Sequence, residues 1–251
     1  MKYMLALSLL SFCFSSTSGA RISTKVTFTF YGHACFLITT SQNTQIMTDP
    51  MKLEGYSVPK EVEPTVVTVS HGHIDHDNVD AVSGNPIILK GLVGPRDQGL
   101  LQKFVEIDEQ IGDVRIYNVV SNHNKPEISP MLNSIFVFEF DGIRVAHLGD
   151  LGVLLSDEQI DKIGNIDVLM IPVGGKYTIS LDEADQVVKQ LHPGAVVFPM
   201  HYRTDLSAFL PNTAEDFLKG KQNVIRVNGN SFHLDVDNPP QDLAYVLLNH
   251  S

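Results

Sequence analysis

Seven consecutive residues, Ser70-His71-Gly72-His73-Ile74-Asp75-His76, place three imidazoles and one carboxylate within six positions of the chain. Neutral imidazole and carboxylate are common ligands of divalent metals, and core packing does not explain such a density of them. The β-branched run that precedes them, residues 65–69, predicts a buried strand. The cluster therefore falls where a strand ends and a loop begins, a usual position for sites in α/β sheets.

Other residues of metal-ligand type also follow predicted strands. Asp49 comes after residues 44–48, and Asp150 and His201 each stand just beyond a later predicted strand. His123 lies in a polar loop after another one. If these strands are neighbours in packed sheets, their ends converge on one site.

The pattern of apolar residues predicts a mixed α/β domain with two sheets and helices on the outside. Strands are predicted at residues 25–31, 35–39, 44–48, 65–69, 86–89, 114–119, 134–140, 143–147, 168–171, 195–199, 224–227 and 243–248, and helices at 156–163, 180–191 and 212–219. Ser180 and Glu183 form a capping-box signal at the start of the second helix. The even spacing of these elements leaves room for a single domain, residues 21–251.

The composition limits the classes of partner. The chain has 251 residues, of which 43% are hydrophobic, so it can bury a sizeable core. Its formal charge of −11 and pI near 5.2 argue against nucleic acid or an anionic membrane as a general partner. We expect a small-molecule substrate, and Lys176 and Arg203 in loops near the predicted site would suit an anionic one. The oligomeric state is left open.

The first twenty residues resemble a secretory signal peptide. Lys2 provides a positive start, residues 4–14 are continuously apolar, and Ser18 and Ala20 stand where a cleavage site requires small residues. An apolar run this short does not span a bilayer, which needs about 20 residues, and we find no other candidate span. We therefore expect cleavage near Ala20 and a secreted or periplasmic protein.

The order of the candidate ligands resembles that of the metallo-β-lactamase-fold hydrolases. Their pattern is His-x-His-x-Asp-His, followed by a histidine, an aspartate and a final histidine, and residues 71–76, His123, Asp150 and His201 match it. Residues 31–38, 148–152, 171–178 and 199–202 look like the branch that includes L-ascorbate-6-phosphate lactonase. The resemblance implies a four-layer αβ/βα sandwich.

The same resemblance implies a site with two divalent metal ions and assigns a role to each ligand. The first ion would be bound by His71, His73 and His123, the second by Asp75, His76 and His201, and Asp150 would bridge them. Zinc suits nitrogen-rich ligands, and manganese or iron would also fit. A metal-bridging hydroxide would then cleave an ester, lactone or phosphodiester bond, with Asp75 as the catalytic residue. Asp49 would support the metal loop, and His33, Tyr177 and Tyr202 are candidates to contact the ligands or the substrate.

Two other functions use the same residues. The chain could be an exported metal-binding protein without turnover, or an amide or β-lactam hydrolase on the same fold. The complete set of ligands around a bridging aspartate favours an enzyme, because a storage site does not need two metals around an open position. A histidine at position 76 disfavours a β-lactamase.

Overall fold

The computed structural model describes residues 24–95, 98, 101–125 and 131–250. Within these ranges the strands are β1 (Lys25–Gly32), β2 (Cys35–Thr39), β3 (Gln45–Thr48), β4 (Val66–Val69), β5 (Ile87–Lys90), β6 (Leu92–Val93), β7 (Lys103–Phe104), β8 (Asp108–Ile111), β9 (Val114–Asn122), β10 (Leu132–Phe140), β11 (Ile143–His147), β12 (Val168–Pro172), β13 (Val196–Met200), β14 (Val224–Arg226), β15 (Ser231–Asp235) and β16 (Ala244–Leu247). The α-helices are α1 (Asp157–Ile163), α2 (Leu181–Leu191) and α3 (Ala214–Leu218). The predicted signal peptide, residues 1–20, lies outside the described residues.

Fourteen of these strands form two large sheets, and β6 and β7 pair with each other in a small antiparallel one. Six strands pair in the order β15-β1-β2-β3-β4-β5, and eight pair in the order β14-β16-β13-β12-β11-β10-β9-β8. Several predicted ligands follow parallel strands. In the six-stranded sheet β3 is parallel to β4, and in the eight-stranded sheet β12 is parallel to both β11 and β13. Asp141 and Gly142 form the predicted hairpin turn between β10 and β11, with φ of 49° and 76°.

The main core lies between the two sheets. Phe28 of β1 and Phe198 of β13 meet there with ring centroids 5.1 Å apart. Helix α2 connects the parallel strands β12 and β13, and its apolar face joins the same core cluster through Val187 and Leu191. Its predicted capping box is present at Ser180. The predicted fold class, a mixed αβ/βα sandwich, is confirmed.

The outer face of the six-stranded sheet is covered differently. Alternate residues of its strands point away from the main core, because successive side chains of a strand face opposite sides. Cys35, Met47 and Val67 on this face pack into a second cluster with Met51 and Tyr56. These covering side chains come from the irregular segment after β3, so a loop replaces most of a helical layer in the described part of the chain.

Each of the twelve predicted strands has a counterpart, and the described ranges contain four further strands that the apolar pattern does not predict. Two of these, β8 and β15, lie at sheet edges, where one side of the strand has no partner. The Asp-Glu-Gln-Ile sequence of β8 is largely exposed, so it shows no apolar alternation. Among the described residues, no helix combines the length and apolar character needed to cross a bilayer.

Candidate metal centre

Asp49 holds the loop that carries the first four candidate ligands. It follows β3, is fully buried, and takes the left-handed backbone conformation with φ of 39°. Its Oδ1 accepts a hydrogen bond from the Ser70 backbone N–H at 2.8 Å, and its Oδ2 accepts one from the Ser70 hydroxyl at 2.6 Å. The same Oδ2 accepts from His76 Nδ1 at 2.9 Å. One carboxylate therefore fixes both ends of the loop.

These hydrogen bonds also decide which nitrogen of each histidine is free. Because Ser70 donates to Asp49, its hydroxyl oxygen accepts from His71 Nδ1, 2.9 Å away. His76 donates its Nδ1–H to Asp49, and His123 Nδ1 lies 3.2 Å from the amide oxygen of Asn124. In all three rings Nε2 is the nitrogen that faces Asp150. Donation of the other ring N–H to a fixed partner is the usual arrangement of a metal-binding histidine.

Three of the predicted ligands, His71, His73 and His123, converge as a group that we call the tripod. His71 Nε2 and His73 Nδ1 are 3.0 Å apart. The ring of His123 lies 4.9 Å from that of His71 and 5.0 Å from that of His73, measured between centroids. The ligand atoms of all three lie within 4.8 Å of one another, a spacing that one metal ion can bridge.

Asp75, His76 and His201 form a second ligand set beside the tripod. Their ligand atoms lie within 4.8 Å of one another, and this grouping also includes His33. Asp75 Oδ2 is 4.0 Å from His76 Nε2. Burial alone would raise the pKa of the Asp75 carboxyl, but the charge of His76 and the hydrogen bond from His33 bring it below its ordinary value. Asp75 is therefore a carboxylate near neutral pH.

Asp150 lies between the tripod and the second ligand set. Its Oδ2 is 3.3 Å from Nε2 of both His123 and His201, and its Oδ1 is 3.3 Å from His76 Nε2. Burial opposes ionisation of this carboxyl, yet the charges of His201 and His76 hold its pKa well below the usual range. A buried carboxylate shared by both groups is suited to bridge two cations.

Asn133 of β10 positions Asp150, although no sequence pattern predicts this role. The Asn133 side-chain oxygen accepts from the Asp150 backbone N–H at 3.0 Å, and its NH₂ group donates to the Leu148 carbonyl at 2.9 Å. The turn after β11 is thereby tied to the neighbouring strand. Asn133 directly precedes the predicted strand 134–140, and a lone asparagine at that position does not indicate a partner.

Two glycines allow the other strand-end ligands to approach. A Cβ at Gly152 would lie 1.7 Å from the carbonyl oxygen of His123, and a Cβ at Gly174 would lie 2.1 Å from that of His201. Backbone atoms cannot move aside as a flexible side chain can. Any larger residue at these positions would displace a ligand.

His33 contacts the second ligand set from the β1–β2 turn. It is buried with φ of 54°, and its Nε2 lies 3.2 Å from Asp75 Oδ2. Its carbonyl accepts the His201 backbone N–H at 2.6 Å, and the two rings lie 4.0 Å apart. Burial, followed by the nearby His201, lowers the pKa of His33 to about 4. His33 is therefore neutral at pH 7.

A cavity of about 230 Å³ opens beside the ligands. It is lined by His73, Asp75, His123, Asp150, Tyr177, His201 and Phe209. Tyr177 thus lies where the sequence placed it. Tyr202 does not: it is buried, its hydroxyl donates to the Leu248 carbonyl at 3.4 Å, and it lines another cavity with Arg203. The backbone of His201, directly after β13, has the left-handed conformation with φ of 48°.

The donor set fits metal ions. His76 Nε2, His123 Nε2 and Asp150 Oδ1 are buried polar atoms without a hydrogen-bond partner. Leaving such atoms unpaired is costly, whereas cations at the centre of these groups would satisfy them. The hydrogen bonds at Nδ1 of His76 and His123 leave the two Nε2 atoms for a metal ion.

Comparison with known proteins agrees with the geometry. The family model for the beta-lactamase superfamily domain matches residues 27–201. The chain belongs to the metallo-β-lactamase superfamily. Within this superfamily it is similar to a UPF0173 metal-dependent hydrolase of Archaeoglobus fulgidus, with 29% identity over 76% of this chain and 88% of the relative. A UPF0173 protein of Pyrococcus abyssi is 32% identical over 70% of this chain and 82% of the relative.

A solved structure extends the likeness over nearly the whole fold of this metallo-β-lactamase-superfamily chain. A Thermotoga maritima protein, described as a candidate Zn-dependent hydrolase of the superfamily, matches with a TM-score of 0.71 and 34% identity. The match covers 90% of this chain and all of the other. The protein is accordingly a metal-dependent hydrolase of the UPF0173 family with a candidate His/Asp metal site. None of these relatives points to the lactonase branch.

Proposed function

We propose that the protein is an exported hydrolase that holds two divalent ions and cleaves an ester, lactone or phosphodiester bond in a small molecule. The observation that carries this proposal is the position of Asp150, which lies within 3.3 Å of His123 on one side and of His76 and His201 on the other. One carboxylate between two groups of ligand atoms suits a pair of ions better than a single one.

The tripod would hold one ion and the second ligand set the other, with Asp150 shared. When bound, divalent ions at such sites lower the pKa of water and polarise the oxygen of a substrate. Zinc is our preferred ion because most of the ligand atoms are imidazole nitrogens, and manganese or iron are the alternatives.

Asp75 is the proposed catalytic residue. It lines the cavity, is ionised, and keeps part of its side chain exposed while the Asp150 side chain is almost completely buried. Its carboxylate can accept a hydrogen bond from the attacking water and take up the proton. His33 Nδ1 has no partner, so its proton resides on Nε2 and is donated to Asp75. His33 is therefore a positioning residue.

The test is a panel of p-nitrophenyl esters, lactones and phosphodiesters, assayed with zinc-loaded and chelator-treated protein. We expect metal-dependent turnover of one bond class, and a loss of at least about 10²-fold in Asp75→Ala with its secondary structure unchanged. A zinc-loaded protein that cleaves none of them would instead support the metal-binding alternative. Turnover by Asp75→Ala at the wild-type rate would exclude the catalytic role.

Amide and β-lactam substrates belong in the same panel as the second candidate. The open cavity of about 230 Å³ beside the ligands favours turnover over storage, because a storage site has no use for space at the metal.

Export is the remaining part of the proposal. It is supported by the apolar run at residues 4–14 and the small residues before position 21. Expression of the full chain with mass analysis of the cell-free fraction tests it: a product that begins near Arg21 is expected, and retention of an uncleaved chain in the cells contradicts it.

A further inference from the structure

Two aromatic side chains stand exposed at the mouth of the metal cavity. Tyr177, in the loop after β12, is 43% exposed, and Phe209, in the loop after β13, is 45% exposed. Their ring centroids lie 6.3 Å apart, and both rings line the cavity that contains Asp75 and Asp150. The pair therefore borders the place where a substrate would lie.

The backbone holds Phe209 outward. Ser207 and Leu210, on either side of it, are buried, and the Leu210 N–H donates to the Ser207 carbonyl at 3.1 Å. The Ser207 hydroxyl oxygen in turn accepts from the Thr204 N–H at 3.0 Å. The exposure of Phe209 thus results from a short turn that is anchored on both sides.

Tyr177 is held in a similar way. Its N–H donates to the Gly175 carbonyl at 2.7 Å. Ile179, two residues later, is fully buried and donates its N–H to the Leu151 carbonyl at 2.9 Å. Lys176 Nζ lies 4.7 Å from the centroid of the Tyr177 ring, a cation–π contact. Burial of an aromatic ring stabilises a protein because it removes apolar surface from water. Two aromatic rings that the backbone holds exposed beside the metal cavity are typical of a ligand-binding surface.

We propose that Tyr177 and Phe209 form an apolar subsite that receives a hydrocarbon arm, alkyl or aryl, of the substrate. This inference rests on the proposed function and narrows it, because it selects substrates whose scissile group carries an apolar substituent over uniformly polar ones. The other walls of the cavity are histidines and aspartates, which would face the scissile group.

The experiment uses alkyl hydroxamates, whose head group chelates divalent metals, from acetohydroxamate to octanohydroxamate. Their dissociation constants for the zinc-loaded protein are measured by calorimetry, so that no turnover is needed. We expect the affinity to rise about two- to fourfold for each of the first added methylenes. In Phe209→Ala and in Tyr177→Ala this increase becomes smaller while the bound zinc is unchanged.

Ile87→Ala is the matched control, since Ile87 on β5 is 49% exposed and does not line the cavity. The affinity of Ile87→Ala should rise with alkyl chain length as it does in the wild type. Affinity that is independent of chain length, or an equal loss in Ile87→Ala, overturns the subsite. Chain-length dependence without cleavage of any ester or phosphodiester leaves the subsite standing and rejects the proposed bond class.

Discussion

The two halves of the candidate metal centre are built in opposite ways. The loop of residues 70–76 supplies four candidate ligands from neighbouring positions, and a single buried carboxylate, Asp49, holds it by three hydrogen bonds. The strand-end half supplies His123, Asp150 and His201 from three separate parts of the eight-stranded sheet. It is held by Asn133 and by close backbone approaches at Gly152 and Gly174.

The difference shows which contacts fix the geometry of each half. Polar contacts of one residue organise the loop half, so its geometry depends on a few strong hydrogen bonds. Packing of strands against turns organises the strand-end half, so its geometry depends on the absence of side chains at two positions. Substitutions should therefore damage the halves through different physical effects.

Asp49→Ala should give the largest loss of stability. It leaves the Ser70 N–H and His76 Nδ1–H buried without an acceptor, and removal of one partner from such a buried network costs about 3–5 kcal/mol. Asn133→Ala, its counterpart in the other half, removes neutral hydrogen bonds and should cost about 1–3 kcal/mol. Urea unfolding of the metal-free proteins measures both, and equal losses would remove the distinction between the halves.

Asp150→Asn should affect the metal more than the fold. The amide keeps the size of the side chain but removes the charge shared by the tripod and the second ligand set. We expect metal affinity to fall by at least about 10²-fold, comparable to or beyond the loss of a supporting partner. Metal analysis after dialysis and titration with zinc give the result. Two tightly bound ions in this variant would show that Asp150 does not bridge them.

Gly152→Ala should destabilise the strand-end half alone. The new methyl group would meet the His123 carbonyl, and overpacking of this kind costs about 1–3 kcal/mol. Gly194→Ala is the control, because its nearest neighbour would be an ordinary 3.4 Å away. Thermal unfolding compares them. A normal melting temperature for Gly152→Ala would mean that the turn can shift without cost.

The smallest effect concerns His147, which connects the two sheets. Its Nε2 donates to the Ala34 carbonyl at 2.9 Å, and its Nδ1 accepts from the Gly149 N–H. Burial lowers its pKa, so the unfolded chain binds a proton that the folded protein excludes. The free energy of unfolding of the metal-free protein should therefore fall as the pH drops through about 6.5. His147→Gln should reduce this slope, measured by urea unfolding at pH 8 and pH 5.5; an unchanged slope contradicts it.

The same contrast explains what the sequence could predict. The loop half is visible in the sequence because its ligands are contiguous, and Asp150 and His201 are visible because each follows a run of apolar residues. Asn133 and the glycine contacts depend on which strands become neighbours, which no local pattern states. Tyr202 directly follows His201 in the sequence, yet its side chain is buried, donates to the Leu248 carbonyl and does not line the metal cavity.

The register of the parallel strands limits the insertions and deletions that this chain can tolerate. Thr48 pairs with Thr68, so that Asp49 and Ser70 meet just beyond the strand ends. Deletion of one residue in β4 would turn every later side chain of the strand to the opposite face and separate that pair. The loops that carry Tyr177 and Phe209 follow β12 and β13, so a change of length within them leaves the pairing of β3 with β4 untouched.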